Sequence, residues 1–307
     1  PMKTPESSDE VFEIDVGNNS ASTPTYNSGF PVDMAFSTRP LLADGSRAFS
    51  RLTGNNYLKM HDTVAQAADT WALFDSNDGW YTNVGTDYQS WMFKRAKGFF
   101  DVVAYTGTGV ARTVNHNLGV VPELIIIKNR TNSLGAWTIQ SNHLQIPLND
   151  YMLLNMDLAK LTASNLWANI TDTTFGIGTA FPDEPYFNNS GDNFVAYLFA
   201  TLAGISKVGS YTGNGTSQTI DCGFSTGAKF ILIKRTDSIG DWYIWDSVRG
   251  IVAGNDPHLS LNTTSAEVTT DDSIDPDTSG FIVNQVAATN INVTSAEYIY
   301  YAIAEPI

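Results

Sequence analysis

The sequence repeats itself at a spacing of about 106 positions, and no other feature constrains its fold as tightly. Val103-Ala104-Tyr105-Thr106-Gly107-Thr108-Gly109 returns as Gly209-Ser210-Tyr211-Thr212-Gly213-Asn214-Gly215. The apolar run Leu124 to Lys128 returns as Phe230 to Lys234, and Ala136 to Ile139 is answered by Asp241 to Ile244. Leu154-Asn155 matches Leu261-Asn262, and Asn193 to Ala200 matches Glu297 to Ala304. A period this long lies well beyond the roughly 20–50 residues of solenoid repeats, so each unit is expected to be a domain with its own core.

A third, more worn copy precedes these two. Asp87 to Gly98 aligns with Asp192 to Gly204 after a one-residue slip, placing Trp91 over Tyr197 and Gly98 over Gly204. Gly29 to Arg39 resembles Gly119 to Arg130. This copy is shorter between its anchors, a difference expected in loops, and it shows no clear counterpart of the Tyr-Thr-Gly opening strand. The expected organisation is therefore an arm or linker over 1–25, a divergent or truncated β-module over 26–97, and β-sandwich modules over 98–203 and 204–307. The first stretch holds Pro, Ser, Asn, Thr and acidic residues around one strand-like patch, Val11 to Val16. It reads as a disordered linker before it reads as an arm adding an edge strand to a neighbour. The first residue is Pro1, not Met, which points to a fragment or a processed product.

The local pattern is β throughout. Short stretches rich in Val, Ile, Tyr, Phe and Thr are separated by clusters of Gly, Asn, Asp and Ser. In the last unit, strands are expected near Lys207–Thr212, Ser217–Asp221, Ala228–Arg235, Trp242–Asp246, His258–Asn262, Gly280–Val283 and Glu297–Ala304. Leu124 to Ile127 and Phe230 to Ile233 are apolar without alternation, as strands covered on both faces are. A short helix or turn is expected in Tyr57 to Ala68 and in Asp157 to Ser164. The fold class is all-β, with tandem, jelly-roll-like β-sandwich domains. Ala200 to Ile205 runs almost directly into the next unit, and its Leu202 and Ile205 imply units that pack together.

Composition sets limits on function. At 307 residues with 42% hydrophobic and 12% aromatic content, the chain is globular and long enough for two or three cores. No apolar run reaches membrane-spanning length, so no membrane insertion is expected. Asp and Glu number 32 against 17 Lys and Arg, a net charge of −15 that repels nucleic-acid backbones and anionic lipid surfaces.

The search for chemistry returns little. There is no Gly-x-Ser-x-Gly elbow, no His-Glu-x-x-His and no phosphate loop ending in Gly-Lys-Ser or Gly-Lys-Thr. Gly107-Thr108-Gly109 and Gly213-Asn214-Gly215 sit in hairpin turns with no helix behind them to bind phosphate. His61, His116, His143 and His258 do not recur at equivalent positions: His116 falls over the lone Cys222, and His143 over Val248. Asp271 to Gly280 is oxygen-rich enough to hold calcium, but it lacks the helix-loop-helix spacing. Its counterpart, Phe181 to Glu184, is poorer, so a solvated turn is the expected reading. No catalytic residue, metal or cofactor is assigned.

Aromatic residues are the remaining resource. Trp80 and Tyr81 follow a polar loop, while Trp242, Tyr243 and Trp245 crowd one strand. On that strand Trp242, Ile244 and Asp246 face one side, and Tyr243 and Trp245 face the other. One core cannot bury both faces, so these five residues form the candidate contact surface for sugar rings or a neighbouring subunit. The alternative is ordinary sandwich packing.

Tyr-Thr-Gly-x-Gly, Pro122 to Arg130, Ala136 to Ile139 and Asn188 to Ala200 together resemble a repeated module, itself of unassigned function, of tailed-bacteriophage virion proteins, mainly from marine phages. The likeness is good from Gly98 onward and weak in the first unit. It implies a non-enzymatic tail-fibre or appendage segment, exposed on the particle surface outside the cell and contributing to host attachment. It also implies other virion proteins as partners and a homotrimer; a host surface glycan is the partner that the aromatic contact surface would take. The alternatives are a carbohydrate-binding module and a capsid decoration or head-fibre protein.

Overall fold

In the computed structural model, which describes residues 2–20, 23–179 and 186–307, the chain is all-β and its sheets are antiparallel. Three large sheets dominate, and they share one strand order. The second runs Phe100–Thr106, Asn193–Phe199, Leu124–Asn129, Trp137–Ser141, Asp150–Leu153, Leu161–Thr162. The third runs Ser206–Thr212, Glu297–Ala304, Ala228–Arg235, Trp242–Asp246, Leu259–Ser260. The first runs Phe12–Val16, Gln89–Phe93, Met34–Thr38, Arg47–Ser50, Asn56–Lys59, Ala67–Ala68. In each sheet an opening strand and a closing strand pair beside a central strand, and the chain then meanders outward through short hairpins. From the central strand outward, short hairpin loops keep consecutive strands in one sheet, whereas the connections before and after this meander cross to a small covering sheet.

The cross-strand registers explain how the sheets meet. In the first sheet, Ile14, Trp91, Phe36, Ala48 and Leu58 lie opposite one another in a row. The same row in the second is Val102, Tyr197, Ile126, Ile139 and Met152. In the third it is Val208, Tyr301, Leu232, Ile244 and Leu259. All of these side chains belong to one continuous apolar cluster. The three sheets therefore turn one face each toward a common central core. Phe93, Phe199 and Phe230 stitch it together across sheets, with Phe93 and Phe199 rings 5.8 Å apart and Phe199 and Tyr301 rings 5.0 Å apart.

The opposite faces are also covered. Ile125, Ile127, Ala196 and Leu198 of the second sheet pack on Val114, Phe175, Ile177 and Trp167 of a small sheet made of Arg112–Asn115, Thr174–Ile177 and Trp167–Ala168. Ile231, Ile233, Trp245 and Ala302 of the third pack on Ile220, Phe281 and Ile274 of Gln218–Asp221, Gly280–Val283 and Ile274–Asp277. The first sheet has a smaller cover, the pair Tyr26–Asn27 and Gly79–Trp80, over Ala35, Phe49 and Met92. Each large sheet is thus one layer of a β-sandwich and one wall of the central core. This double burial is why Leu124–Asn129 and Ala228–Arg235 show no alternation.

Three expectations are corrected. The N-terminal stretch is not a linker: Phe12–Val16 pairs residue for residue with Gln89–Phe93 and supplies the opening strand that the first unit seemed to lack. Its signal was hidden because this strand reads Phe-Glu-Ile-Asp-Val, with Phe12 and Ile14 buried in the central core, and not Tyr-Thr-Gly. Tyr57 to Ala68 and Asp157 to Ser164 hold no helix: they carry the strands Asn56–Lys59, Ala67–Ala68 and Leu161–Thr162, and the turn alternative is met at Met60-His61. The acidic run Asp271 to Gly280 contains the strand Ile274–Asp277, which pairs with Gly280–Val283 across Thr278-Ser279. Its expected counterpart Phe181 to Glu184 lies outside the described residues, as do Pro1, Ala21 and Ser22.

Because one core joins all three sheets, damage in one is expected to be felt by the whole chain. Ile244 is fully buried there, and Ile244→Ala should cost about 2–5 kcal/mol. Calorimetry should still show a single, lowered transition. A separate early transition confined to the third sheet would contradict the shared core.

Candidate functional site: the seams between the sheets

The three large sheets close into a ring, and corresponding backbone groups make the closing bonds. The amide of Gln66, just before the outermost strand of the first sheet, donates to the Arg130 carbonyl at the end of the second sheet's central strand (2.9 Å). The amide of Lys160 donates to Thr236 O (2.8 Å) in the same way from second to third, and that of Glu267 to Pro40 O (2.7 Å) from third to first. Two indole donors reinforce the first two seams: Trp137 Nε1 donates to Lys59 O (2.8 Å) and Trp242 Nε1 to Leu153 O (3.0 Å).

Two buried lysines complete those seams. Lys128 Nζ donates to the carbonyls of Thr63, Asn129 and Gly135 at 2.9, 2.8 and 2.8 Å. Lys234 Nζ donates to Asp157 O (3.0 Å) and Gly240 O. Each ammonium joins a carbonyl of its own hairpin to one from the preceding sheet. An ammonium has three N–H donors and no acceptor, so three carbonyls satisfy it while a neutral amine leaves one of them unmatched. Burial works the other way and pushes Lys128 down to about 7 and Lys234 to about 8. The matching position in the first sheet is Thr38, so the third seam is held differently.

At that seam Asp246 is fully buried. Its Oδ2 accepts from Arg249 Nε (2.7 Å), Gln89 Nε2 (3.0 Å) and Trp91 Nε1 (3.1 Å), and its Oδ1 from the Arg249 amide (2.9 Å). Gln89 and Trp91 belong to the first sheet, so one carboxylate of the third organises both sides. Lys229 reaches Glu13 across the same seam at 2.7 Å. A buried charge is tolerable only when paired and hydrogen-bonded, and Asp246 meets both conditions.

Between second and third sheets lies a cleft of about 290 Å³ lined by His143, Gln145, Thr212, Thr236, Glu297 and Tyr298, among others. Between third and first, about 220 Å³ is lined by Leu41, Asp87, Tyr88 and Arg249, among others. A wider cavity of about 580 Å³ is lined in part by Arg95, Lys97, His116, Asn117 and Asp172. There Arg95 Nε is held by the buried Asp101 carboxylate at 2.6 Å.

The aromatic contact surface expected from sequence is not at the surface. Trp242 belongs to the central core, Trp245 to the third outer core and Trp80 to the first outer core, each at most 1% exposed. Two cores, one on each face of the sheet, resolve what a single core could not. Tyr243 is half-buried against Trp245 and His258, with ring centroids 5.8 and 5.2 Å away, and Tyr81 is half-buried and paired through its backbone with Leu73.

The remaining candidates also serve structure. His116 Nδ1 accepts the Leu118 amide (3.2 Å) while Nε2 reaches Thr171 O (3.2 Å), and burial lowers its pKa. Cys222 is buried, and burial pushes its thiol up to about 12, away from nucleophilic thiolate. In the Gly-x-Gly turns, Gly109 and Gly215 adopt φ of +71° and +77°, and a Cβ on Gly107 or Gly213 would strike a carbonyl oxygen at 2.1 or 2.2 Å. Asn188 and Asn292 fold over these turns, each accepting an amide through Oδ1 at 3.1 and 3.0 Å. In the acidic run, Asp277 Oδ1 accepts the Ser279 amide and hydroxyl, and Asp272 and Asp275 accept from Asn284 Nδ2.

Sequence reading missed Lys128, Lys234, Asp246 and Gln89. Lys128 and Lys234 carried a signal: a charged residue recurs at one position of two otherwise apolar, doubly covered strands.

With its folded pKa depressed, Lys128 makes stability rise with pH between about 7 and 10.5, where only the unfolded chain holds the extra proton. The contribution is lost as pH falls toward 7. Melting temperatures of the native chain and Lys128→Met, measured from pH 7 to 9, should therefore differ in slope, the native chain gaining more. Lys128→Met should also be less stable throughout, by about 1–3 kcal/mol for each buried carbonyl left unmatched. Parallel pH profiles would refute the assignment.

Among known proteins, the model of a domain of unknown function, DUF7483, matches residues 75–306. The match begins within the first unit and spans the second and third. No curated protein matches the chain.

Proposed function

Starting from the fact that the chain belongs to the DUF7483 family, we propose that it is a non-enzymatic structural segment of a bacteriophage virion, a tail-fibre or appendage block that contributes to host attachment. In this reading the chain is three copies of one two-layer β-module, divided near residues 98 and 204, with the first copy shortened and its opening strand supplied by the N-terminal arm.

The observation that carries the proposal is the shared central core. Three modules that bury one face each in a common cluster, and lock their seams with buried lysines and a buried carboxylate, form a rigid block and not beads on a string. An appendage transmits force and resists proteolysis, and both needs are met by covered sheet faces and few independently opening parts.

The same hairpin, between central and fourth strand, carries an exposed aliphatic residue in each module: Leu41 at 74%, Leu134 at 71% and Ile239 at 67%. These three corresponding tips support attachment to other virion proteins with threefold character. The homotrimer implied by the sequence resemblance remains part of the proposal. Light scattering coupled to size exclusion decides it.

Labelling intact virions with an antibody against the chain should mark the tail or appendage. Label on the capsid surface would favour the decoration-protein reading, and an unlabelled particle would refute both. Replacing Leu41, Leu134 and Ile239 together by Ser should leave the melting transition within about 0.5 kcal/mol per site while reducing incorporation into particles. Release of reducing sugar from host polysaccharide would overturn the non-enzymatic part.

A further inference from the structure

We propose that the uncovered edge of the third sheet at Ser210 and Thr212 receives an extended, basic segment of another protein, which adds to the sheet as one further strand. The inference deepens the reading above, in which other virion proteins are the partners, and rests on it for the identity of that partner.

Alternate residues of an edge strand turn both of their main-chain groups away from the sheet. In the opening strand Ser206–Thr212 these residues are Ser206, Val208, Ser210 and Thr212, as the bonds at its start show. The Ser206 amide donates to Leu202 O (2.9 Å), and the Val208 amide to Thr201 Oγ1 (3.1 Å). The His143 side chain is bonded to the Val208 backbone as well. Beyond Val208 the cover stops. The Ser210 amide and carbonyl and the Thr212 amide have no hydrogen-bond partner among the described residues, while Thr212 O accepts from Gln218 Nε2 (3.1 Å). Both residues are exposed and line the cleft of about 290 Å³ between the second and third sheets. Strand addition draws its affinity from main-chain bonds and not from an apolar floor. Three open main-chain groups in a polar cleft meet that need.

The other two opening strands show what sets this edge apart. The registers place Val16 of the first sheet and Ala104 of the second at the position of Ser210. In the first sheet the edge is closed by its own chain. The Ile14 and Val16 amides donate to Glu13 Oε1 and Asp15 Oδ1, both at 2.9 Å, and the Asn18 amide to Thr25 O (3.1 Å). In the second, Arg112 Nη1 holds Thr106 O (2.7 Å) and puts a cation at the edge, and Asn193 accepts from Thr106 Oγ1 (3.0 Å). In the third, Gln218 stands in place of Arg112, and Glu297 in place of Asn193 opposite Thr212. Glu297 is exposed, and its carboxylate has no hydrogen bond or ion pair among the described residues. Arg235, on the neighbouring strand, is taken by Asp237 (2.9 Å), which also accepts the Glu297 amide (3.2 Å). A lysine or arginine of the added strand beside Thr212 lies two strand spacings from Glu297, about 10 Å, and its long side chain reaches across the short Thr212 toward the carboxylate. This unpaired carboxylate, in a chain of net charge −15, selects a basic segment over an acidic one.

The test is a backbone-amide chemical-shift titration of the full chain with a capped pentapeptide of alternating threonine and lysine. A counterpart with glutamate for lysine tests the charge, and the basic peptide methylated at every backbone nitrogen tests the main-chain bonds. Saturable shifts centred on Ser210 to Thr212 are expected with the basic peptide at a Kd of about 1 mM or below. The methylated and the acidic peptides should each bind at least about tenfold more weakly. Glu297→Gln should weaken the basic peptide about two- to fivefold, as loss of an exposed ion pair does. Ser210→Pro removes an outward N–H while leaving the ladder to Glu297–Ala304 in place, and should weaken binding about tenfold. The methylated peptide decides the point on the unaltered chain should Ser210→Pro lower the melting temperature. No saturable shift, methylated or acidic peptide binding as tightly as the basic one, or shifts centred on Ala104 to Thr106 would each overturn the proposal. Virion labelling is independent of this outcome: a labelled particle with an unresponsive edge removes the strand addition alone, and an unlabelled particle with a responsive edge removes the appendage reading alone.

Discussion

Everything in this structure depends on the double burial of the three large sheets. A sheet with one solvated face would alternate polar and apolar residues; these central strands do not, because one face meets a small covering sheet and the other a core shared by all three. The rows through Trp91, Tyr197 and Tyr301 bring residues more than 200 positions apart into one cluster. Such a core has no meaning for a single unit. Each unit alone would expose the row that the other two cover.

That constraint sets the chemistry of the seams. Closing a ring of sheets buries the carbonyls at strand ends, and buried carbonyls demand donors. Corresponding backbone amides supply three of these, and side chains supply the rest: an indole and a lysine at two seams, and a carboxylate gathering an arginine, a glutamine and an indole at the third. The repetition is therefore approximate in side chains, while the order of the first five strands and the seam amides recur in backbone. Where the side chains diverge, the seams acquire different clefts, and one of the three offers an available carboxylate to solvent.

Much of the fold was legible in sequence. Ala228–Arg235, Trp242–Asp246, Gly280–Val283 and Glu297–Ala304 fall where the β pattern places them, and Trp91 does stand in the register of Tyr197. The site was far less legible. Trp242 and Trp245 look like a surface because a strand with aromatic residues on both faces needs two cores, and a linear pattern counts faces without showing what covers them. The strand Phe12–Val16 looked like part of a linker because its pairing partner lies more than 70 residues away in the chain. Lys128 and Lys234 were in plain view, yet their partners are carbonyls, which carry no sequence signal.

The sequence alone determined the all-β class, the long repeat, the hairpin turns that require Gly109 and Gly215, and the packing of unit on unit. These are local or periodic properties, written in the spacing of residues along one chain. Only the tertiary structure decided that the units close into a ring around one core, and that Asp246 and the two lysines lock it. It also showed that the conspicuous tryptophans lie inside. Those outcomes depend on which backbone groups are brought together and dried, and that is a property of the assembled sheets.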